Sequence, residues 1–243
     1  MHQTILIIDY GSQYTQLIAR KIRELNVYCV VKPYNKIQSL NFKQENYLGI
    51  ILSGGPNSVL DYKSPDLSDK ILNSNLPVLG ICYGLQILCK KLYGVIKNSR
   101  SREYGHALIS IKKKSLLLEG IKNNNQVWMS HGDHVQKIPK NFIITSISNN
   151  KVISSIENTK KKLYGLQFHP EVYHSTNGKK IIKNFLFKIC KIKNKFKLQN
   201  YLDEKILFYK NELKNNKVIC GLSGGVDSTV VAYILHKAIG KNL

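Results

Sequence analysis

An apolar run, Val78-Leu79-Gly80-Ile81, ends in Cys82 and passes at once into a helical pattern. Val78, Leu79 and Ile81 suit a buried strand, while Leu85, Leu88 and Leu92 recur at the i, i+3, i+7 spacing of one helix face. Cys82 is thereby fixed in the turn between them, with Gly80 and Gly84 two residues to either side. The spacing Gly-x-Cys-x-Gly lets strand and helix approach closely around a strained central residue, as the serine version of this turn does. The sulfur is expected to point out above a sheet, and the positive end of the helix dipole favours thiolate, the attacking species, over thiol. Taken alone, the stretch also fits a small buried cysteine after a core strand. Its partners have to decide.

The 243 residues suffice for one full domain of roughly 190 residues and part of another, and 43% hydrophobic content is ample for a core. No apolar run approaches the roughly 20 residues of a membrane span, and the start Met1-His2-Gln3-Thr4 lacks the regions of a signal peptide. A soluble, cytoplasmic protein with no membrane partner is expected. Cysteines 29, 82, 89, 190 and 220 lack metal-ligand spacing and sit in or beside apolar runs, so neither a disulfide nor a metal site is expected. The formal charge of +22 invites a nucleic-acid reading. Only four of the 37 basic residues are Arg, however, and the lysines are scattered among 23 Asn without a basic stripe interleaved with aromatics. No specific nucleic-acid partner is expected, only weak, salt-sensitive binding to polyanions.

Along the chain, Thr4 to Asp9, a helix marked by Leu17, Ile18, Ile22 and Leu25, and Val27 to Val31 form an opening βαβ unit. Tyr47 to Leu52 is another buried strand, and it ends in Ser53-Gly54-Gly55-Pro56. A Gly-Gly pair there fits a plain tight turn. It also stands one strand before Cys82, and sites in open α/β sheets form at the C-terminal ends of neighbouring strands. The N–H groups of Gly54, Gly55 and Tyr83 are therefore candidate oxyanion donors. Beyond Tyr93, segments 107–112, 126–129, 142–148 and 151–156 alternate in the manner of antiparallel strands added to the parallel core. Between them, Arg102-Glu103-Tyr104-Gly105 and Trp128-Met129-Ser130-His131-Gly132-Asp133 read as polar loops. His131 and His134 are three apart, but no further ligand cluster completes a zinc site. Leu163 to Phe168 is the next strand, and it leads into His169-Pro170-Glu171. Proline biases His169 toward extended geometry, which puts His169 and Glu171 on one side of the chain as a base and its orienting carboxylate. A structural histidine at a strand end is the plainer alternative.

With Ser53-Gly54-Gly55-Pro56 before it and Gln167-Phe168-His169-Pro170-Glu171 after it, the Gly80-Ile81-Cys82-Tyr83-Gly84-Leu85-Gln86 stretch resembles the class I (triad) glutamine amidotransferases over roughly residues 1–190. The resemblance implies a doubly wound, mixed, flavodoxin-like α/β sheet. It also implies that Cys82, His169 and Glu171 hydrolyse the side-chain amide of glutamine through a thioester without a cofactor, and that Gln86, His131, Gly132 and Asp133 help hold the substrate.

After a helix through Ile181, Ile182, Phe185 and Ile189 comes a lysine-rich linker, 191–200. Residues 201–213 are helical again, a strand is expected at 217–222, and Ser223-Gly224-Gly225-Val226-Asp227-Ser228-Thr229 opens a further helix. A glycine-rich loop at a helix start makes a nest of N–H groups for phosphate. It lacks the Gly-Lys-Ser/Thr ending of a Walker A loop and resembles the loop of ATP pyrophosphatases. Residues 201–243 thus read as the beginning of a second, nucleotide-binding α/β domain. A triad amidotransferase followed by this loop resembles the glutamine-hydrolysing GMP synthases. In that family ATP and magnesium adenylate xanthosine monophosphate (XMP), ammonia then yields GMP, and the full-length enzyme is a homodimer. The chain stops one helix after the loop, so a fragment with glutaminase chemistry at most is expected. A catalytically silent, partner-binding remnant is the other reading.

Overall fold

The computed structural model describes residues 3–42, 45–193 and 196–243. Its strands are β1 (Thr4–Asp9), β2 (Tyr28–Pro33), β3 (Tyr47–Leu52), β4 (Val78–Ile81), β5 (Val95–Ile111), β6 (Asn125–Lys137), β7 (Ile143–Ser148), β8 (Ile153–Asn158) and β9 (Leu163–Leu166). They form one sheet in the order β2-β1-β3-β4-β9-β8-β7-β5-β6. The first five run parallel in the flavodoxin-like order, and the last four extend the sheet by antiparallel pairing. β4 and β9 are buried at every position and β1 and β3 at nearly every one, which explains their unbroken apolar sequences.

Alternate residues of the central strands feed two cores. Ile5, Ile7, Leu79 and Ile81 pack with Ile18 and Ile22 of α1 (Thr15–Arg23). Leu6, Ile8 and Leu52 pack with Ile71 of α2 (Asp69–Leu72) and with Leu85 and Leu88 of α3 (Tyr83–Lys91). Ile181 and Ile182 of α4 (Gly178–Asn184) join the first core. Helices therefore cover both faces, and the C-terminal strand ends stay open between them.

Two expectations need correction. Residues 102–105 and 128–133 are not loops: they lie in β5 and β6, paired as Glu103 with His131 and Tyr104 with Ser130. From Asn125 to Val135, β6 alternates strictly between buried and half-buried positions, but its buried row contains Asn125, His131 and Asp133 beside Val127, Met129 and Val135, so burial alternates where hydropathy does not. The strand expected at 217–222 is also absent. Those residues form no ladder, because a strand needs a neighbour to satisfy its backbone.

The chain divides into two compact units, Met1–Lys195 and Phe196–Leu243. The second consists of α5 (Leu198–Leu213), α6 (Val226–Ile239) and their connections. Residues 194 and 195 of the expected linker lie outside the described residues, and α5 begins within its span, at Leu198.

Candidate active site

The turn between β4 and α3 carries Cys82 at φ +52° and ψ −104°, a region that a side chain enters only under strain of about 1–3 kcal/mol. Neighbours hold it there. The Cys82 N–H donates to the Leu166 carbonyl of β9 at 2.7 Å, and the Cys82 carbonyl accepts the first helical bond from the Gln86 N–H at 3.0 Å. A Cβ at Gly80 would meet the Gly84 carbonyl oxygen at 2.5 Å, and one at Gly84 would meet the Leu52 oxygen at 2.4 Å. Both glycines are therefore required by close backbone approach.

β9 lies beside β4 in the sheet, so the residues after Leu166 arrive next to the cysteine. The His169 N–H donates to the Trp128 carbonyl of β6 at 3.0 Å, and His169 Nδ1 stands 2.7 Å from Glu171 Oε1. Both side chains are almost wholly buried. Burial alone works against the imidazolium. The charges of Glu171 and of the Cys82 thiolate outweigh that penalty and hold the His169 pKa well above its ordinary value. With Nδ1 committed to Glu171, Nε2 is left for Cys82. The Tyr14 ring meets the imidazole edge to face at a centroid distance of 5.0 Å, and a Cβ at Gly54 would come within 3.0 Å of His169 Cε1.

Cys82 and His169 line one cavity of about 450 Å³ with Gly55, Tyr83, Gln86, His131, Gly132 and Asp133. The structure thus brings together the residues expected from the first unit. Gly54 and Glu171 do not line the cavity themselves, yet each abuts His169 as described. Gln86 has a partner of its own: its Nε2 donates to the Asp133 carbonyl at 2.7 Å and so ties α3 to β6. Asp133 accepts from Ser58 Oγ at one carboxylate oxygen and from Asn98 Nδ2, at 3.1 Å, at the other. His131 Nε2 lies 3.1 Å from Glu103 Oε2, within ion-pair reach but off hydrogen-bond geometry.

Several residues of this site carry no sequence signal. Ser58 and Asn98 are 75 and 35 residues from Asp133, and only the fold joins them. The Cys82 thiol is 3.5 Å from the Ser130 carbonyl, and Gln167 Nε2 is 3.9 Å from the sulfur. Gln167 stands in the motif around His169, but its type alone gives no hint of that contact.

The expected phosphate loop lies in the second unit. Ser223 to Val226 are exposed, Gly224 has φ +81°, and no side chain caps the start of α6. The first-turn N–H groups of this 14-residue helix are thus available to an anion, with the Ser223 and Ser228 hydroxyls 3.0 Å apart beside them. These features fit a phosphate group. Among the described residues, no group of three or more His, Cys, Asp or Glu side chains is arranged to hold a metal ion. The five cysteines are free, and no helix among the described residues is long and apolar enough to cross a membrane.

Comparison with known proteins agrees with this division. The class-I glutamine amidotransferase family matches residues 6–189, and the NAD synthase family matches residues 197–243. Glutamine-hydrolysing GMP synthases of Clostridium kluyveri and Petrotoga mobilis are 46% and 48% identical over 241 residues, 99% of this chain. The chain spans about half the length, 47%, of these relatives. Among solved structures, a putative GMP synthase subunit from Thermoplasma acidophilum is 25% identical, with a TM-score of 0.66 over 84% of this chain and 98% of its own. A glutamine amidotransferase from Thermotoga maritima shares the fold at 20% identity, with a TM-score of 0.61 over 99% of this chain and 100% of its own.

Proposed function

Since the chain belongs to the class-I glutamine amidotransferases, we propose that Cys82, His169 and Glu171 hydrolyse glutamine to glutamate and ammonia, with residues 1–190 as the amidotransferase domain. The observation that carries this reading is the strained Cys82 on its elbow, in one cavity with a buried His169 already paired to Glu171. The Cys82 thiolate attacks the amide carbon, and charge develops on the oxygen toward the N–H groups of Gly54, Gly55 and Tyr83. As the C–N bond breaks, the His169 imidazolium gives its Nε2 proton to the departing nitrogen, which leaves as ammonia. His169, now neutral, takes a proton from the water that attacks the thioester. The C–S bond breaks, the thiolate returns, and glutamate is released. Glu171 fixes the tautomer and stabilises the imidazolium throughout. Gln86, His131, Gly132 and Asp133 line the cavity where the rest of the substrate would lie.

Residues 201–243 are the beginning of a synthetase domain in this proposal, and Ser223, Gly224, Gly225, Val226, Asp227, Ser228 and Thr229 hold a phosphate of ATP. The NAD synthase match and the uncapped start of α6 support that role. By the resemblance to GMP synthases, bound ATP with magnesium would supply the adenylation that activates XMP, and the ammonia would then give GMP, the product in the names of the half-matched relatives. The same reading makes the full-length enzyme a cytoplasmic homodimer.

The test is glutamate release from glutamine by the purified chain beside Cys82→Ala, with and without a separately supplied synthetase domain. Release that disappears in Cys82→Ala, a loss of about 10⁴-fold or more, is expected. No Cys82-dependent release under either condition would overturn the glutaminase reading.

A further inference from the structure

His169 is fixed through its main chain as well as its ring. When two residues on neighbouring extended segments face each other in a hydrogen-bonded pair, they exchange two N–H···O=C bonds. His169 and Trp128 make one of the two, from the His169 N–H to the Trp128 carbonyl at 3.0 Å. The other is interrupted. The Trp128 N–H donates to Ser175 Oγ at 3.0 Å, and that hydroxyl donates to the His169 carbonyl at 2.5 Å. Ser175 is therefore a one-atom spacer inserted into half of a backbone pair, and it is only 5% exposed.

The segment that delivers the hydroxyl is itself tightly held. The Ser175 N–H donates to the Val172 carbonyl at 3.2 Å, the Thr176 N–H to the Gln126 carbonyl at 3.1 Å, and the Gly178 N–H to the Ser175 carbonyl at 2.9 Å. Gly178 sits so close to Pro170 that a Cβ there would fall 1.8 Å from the Pro170 oxygen.

We infer that Ser175 is a positioning residue for the reaction: its hydroxyl sets the separation of the His169 backbone from β6 and thereby the placement of the imidazole relative to Cys82. Without the hydroxyl, the Trp128 N–H and His169 carbonyl are either left buried and unpaired or drawn together, and both outcomes move the imidazole. A displacement of about 1 Å at a reacting group can cost about 10²-fold in rate.

This role rests on the glutaminase reading, so its test includes a readout that needs no glutamine. Iodoacetamide alkylation of Cys82, resolved by peptide mass spectrometry across a pH series, reports the coupling between the sulfur and the imidazole. Ser175→Ala is expected to change that alkylation profile and, in glutamate release, to lower kcat about 10²-fold with KM little changed. Ser175→Thr, which keeps the hydroxyl, is expected to retain both. If the alanine variant does not fold, Ser175→Cys, which keeps the volume with a weaker donor, takes its place. An alkylation profile and kcat like those of the unaltered chain in a folded Ser175→Ala would overturn the inference. If the unaltered chain released no glutamate, the glutaminase reading would fall, and the alkylation profiles would still decide the role of Ser175.

Discussion

Two helices in this chain begin with a glycine-bearing turn expected to follow a strand, and they differ in what surrounds them. The turn before α3 follows β4, which has β3 on one side and β9 on the other, and every residue of its approach is buried. The turn before α6 follows residues 217–222, which pair with no strand, and an added Cβ at Gly224 would find nothing within 4 Å. In the first unit a strained non-glycine conformation at Cys82 is held by close backbone contacts. In the second unit, among the described residues, Ala238 is the one buried hydrophobic side chain. A motif thus encodes a local conformation, but a sheet around it is what makes that conformation rigid enough for chemistry.

The contrast can be broken from its stronger side first. Glu171→Gln removes the charge that opposes burial at His169, and kcat should fall by about 10⁴-fold, as when the carboxylate of a triad is neutralised. The sign of the pH effect follows from the shift. Glu171 helps to keep His169 protonated to higher pH than usual, so without it the imidazolium is lost at lower pH, and the alkaline limb of kcat/KM should move down. An unmoved limb in the pH profile would contradict the proposed pairing. Next in size, Gly84→Ala forces a methyl group to 2.4 Å from the Leu52 oxygen, and destabilisation of about 3 kcal/mol or more is expected in thermal unfolding. The smallest effect is at the other turn. Gly224→Ala meets no neighbour and carries only the cost of φ +81°, about 1–2 kcal/mol confined to the second unit. The melting of the first unit should be unchanged, and comparable loss in both variants would show that the two turns are equally constrained.

The same contrast explains what could be read in advance. β1, β3 and β4 are evident because strands buried on both faces write themselves as continuous apolar runs, and the elbow is evident because its glycines are fixed by backbone contact in the first unit. The course of β5 and β6 is not evident. Their buried row is partly polar, since Asp133 and His131 face the cavity rather than the apolar core. The segment before Ser223 has the composition of a core strand, but pairing is a property of neighbours and not of the segment. The contacts of Ser58, Asn98 and Ser175 are equally silent in sequence, because a hydroxyl or amide shows no preference until long-range folding gives it a partner.

The insertion of β9 beside β4 has a consequence for how the site comes into being. Gln167 and Cys82 touch across 85 residues of chain, and all four antiparallel strands are encoded between them. Closing so long a segment costs entropy before any contact offsets it, and such non-local pairings are the slow steps of folding. On a growing polypeptide the nucleophile emerges well before its base. Until the intervening strands are made and β9 docks, Cys82 lacks both the Leu166 carbonyl that anchors its backbone and the imidazole that would arm it. Reactivity at the sulfur is therefore a late event, a chemical signal that the last central strand has found its place.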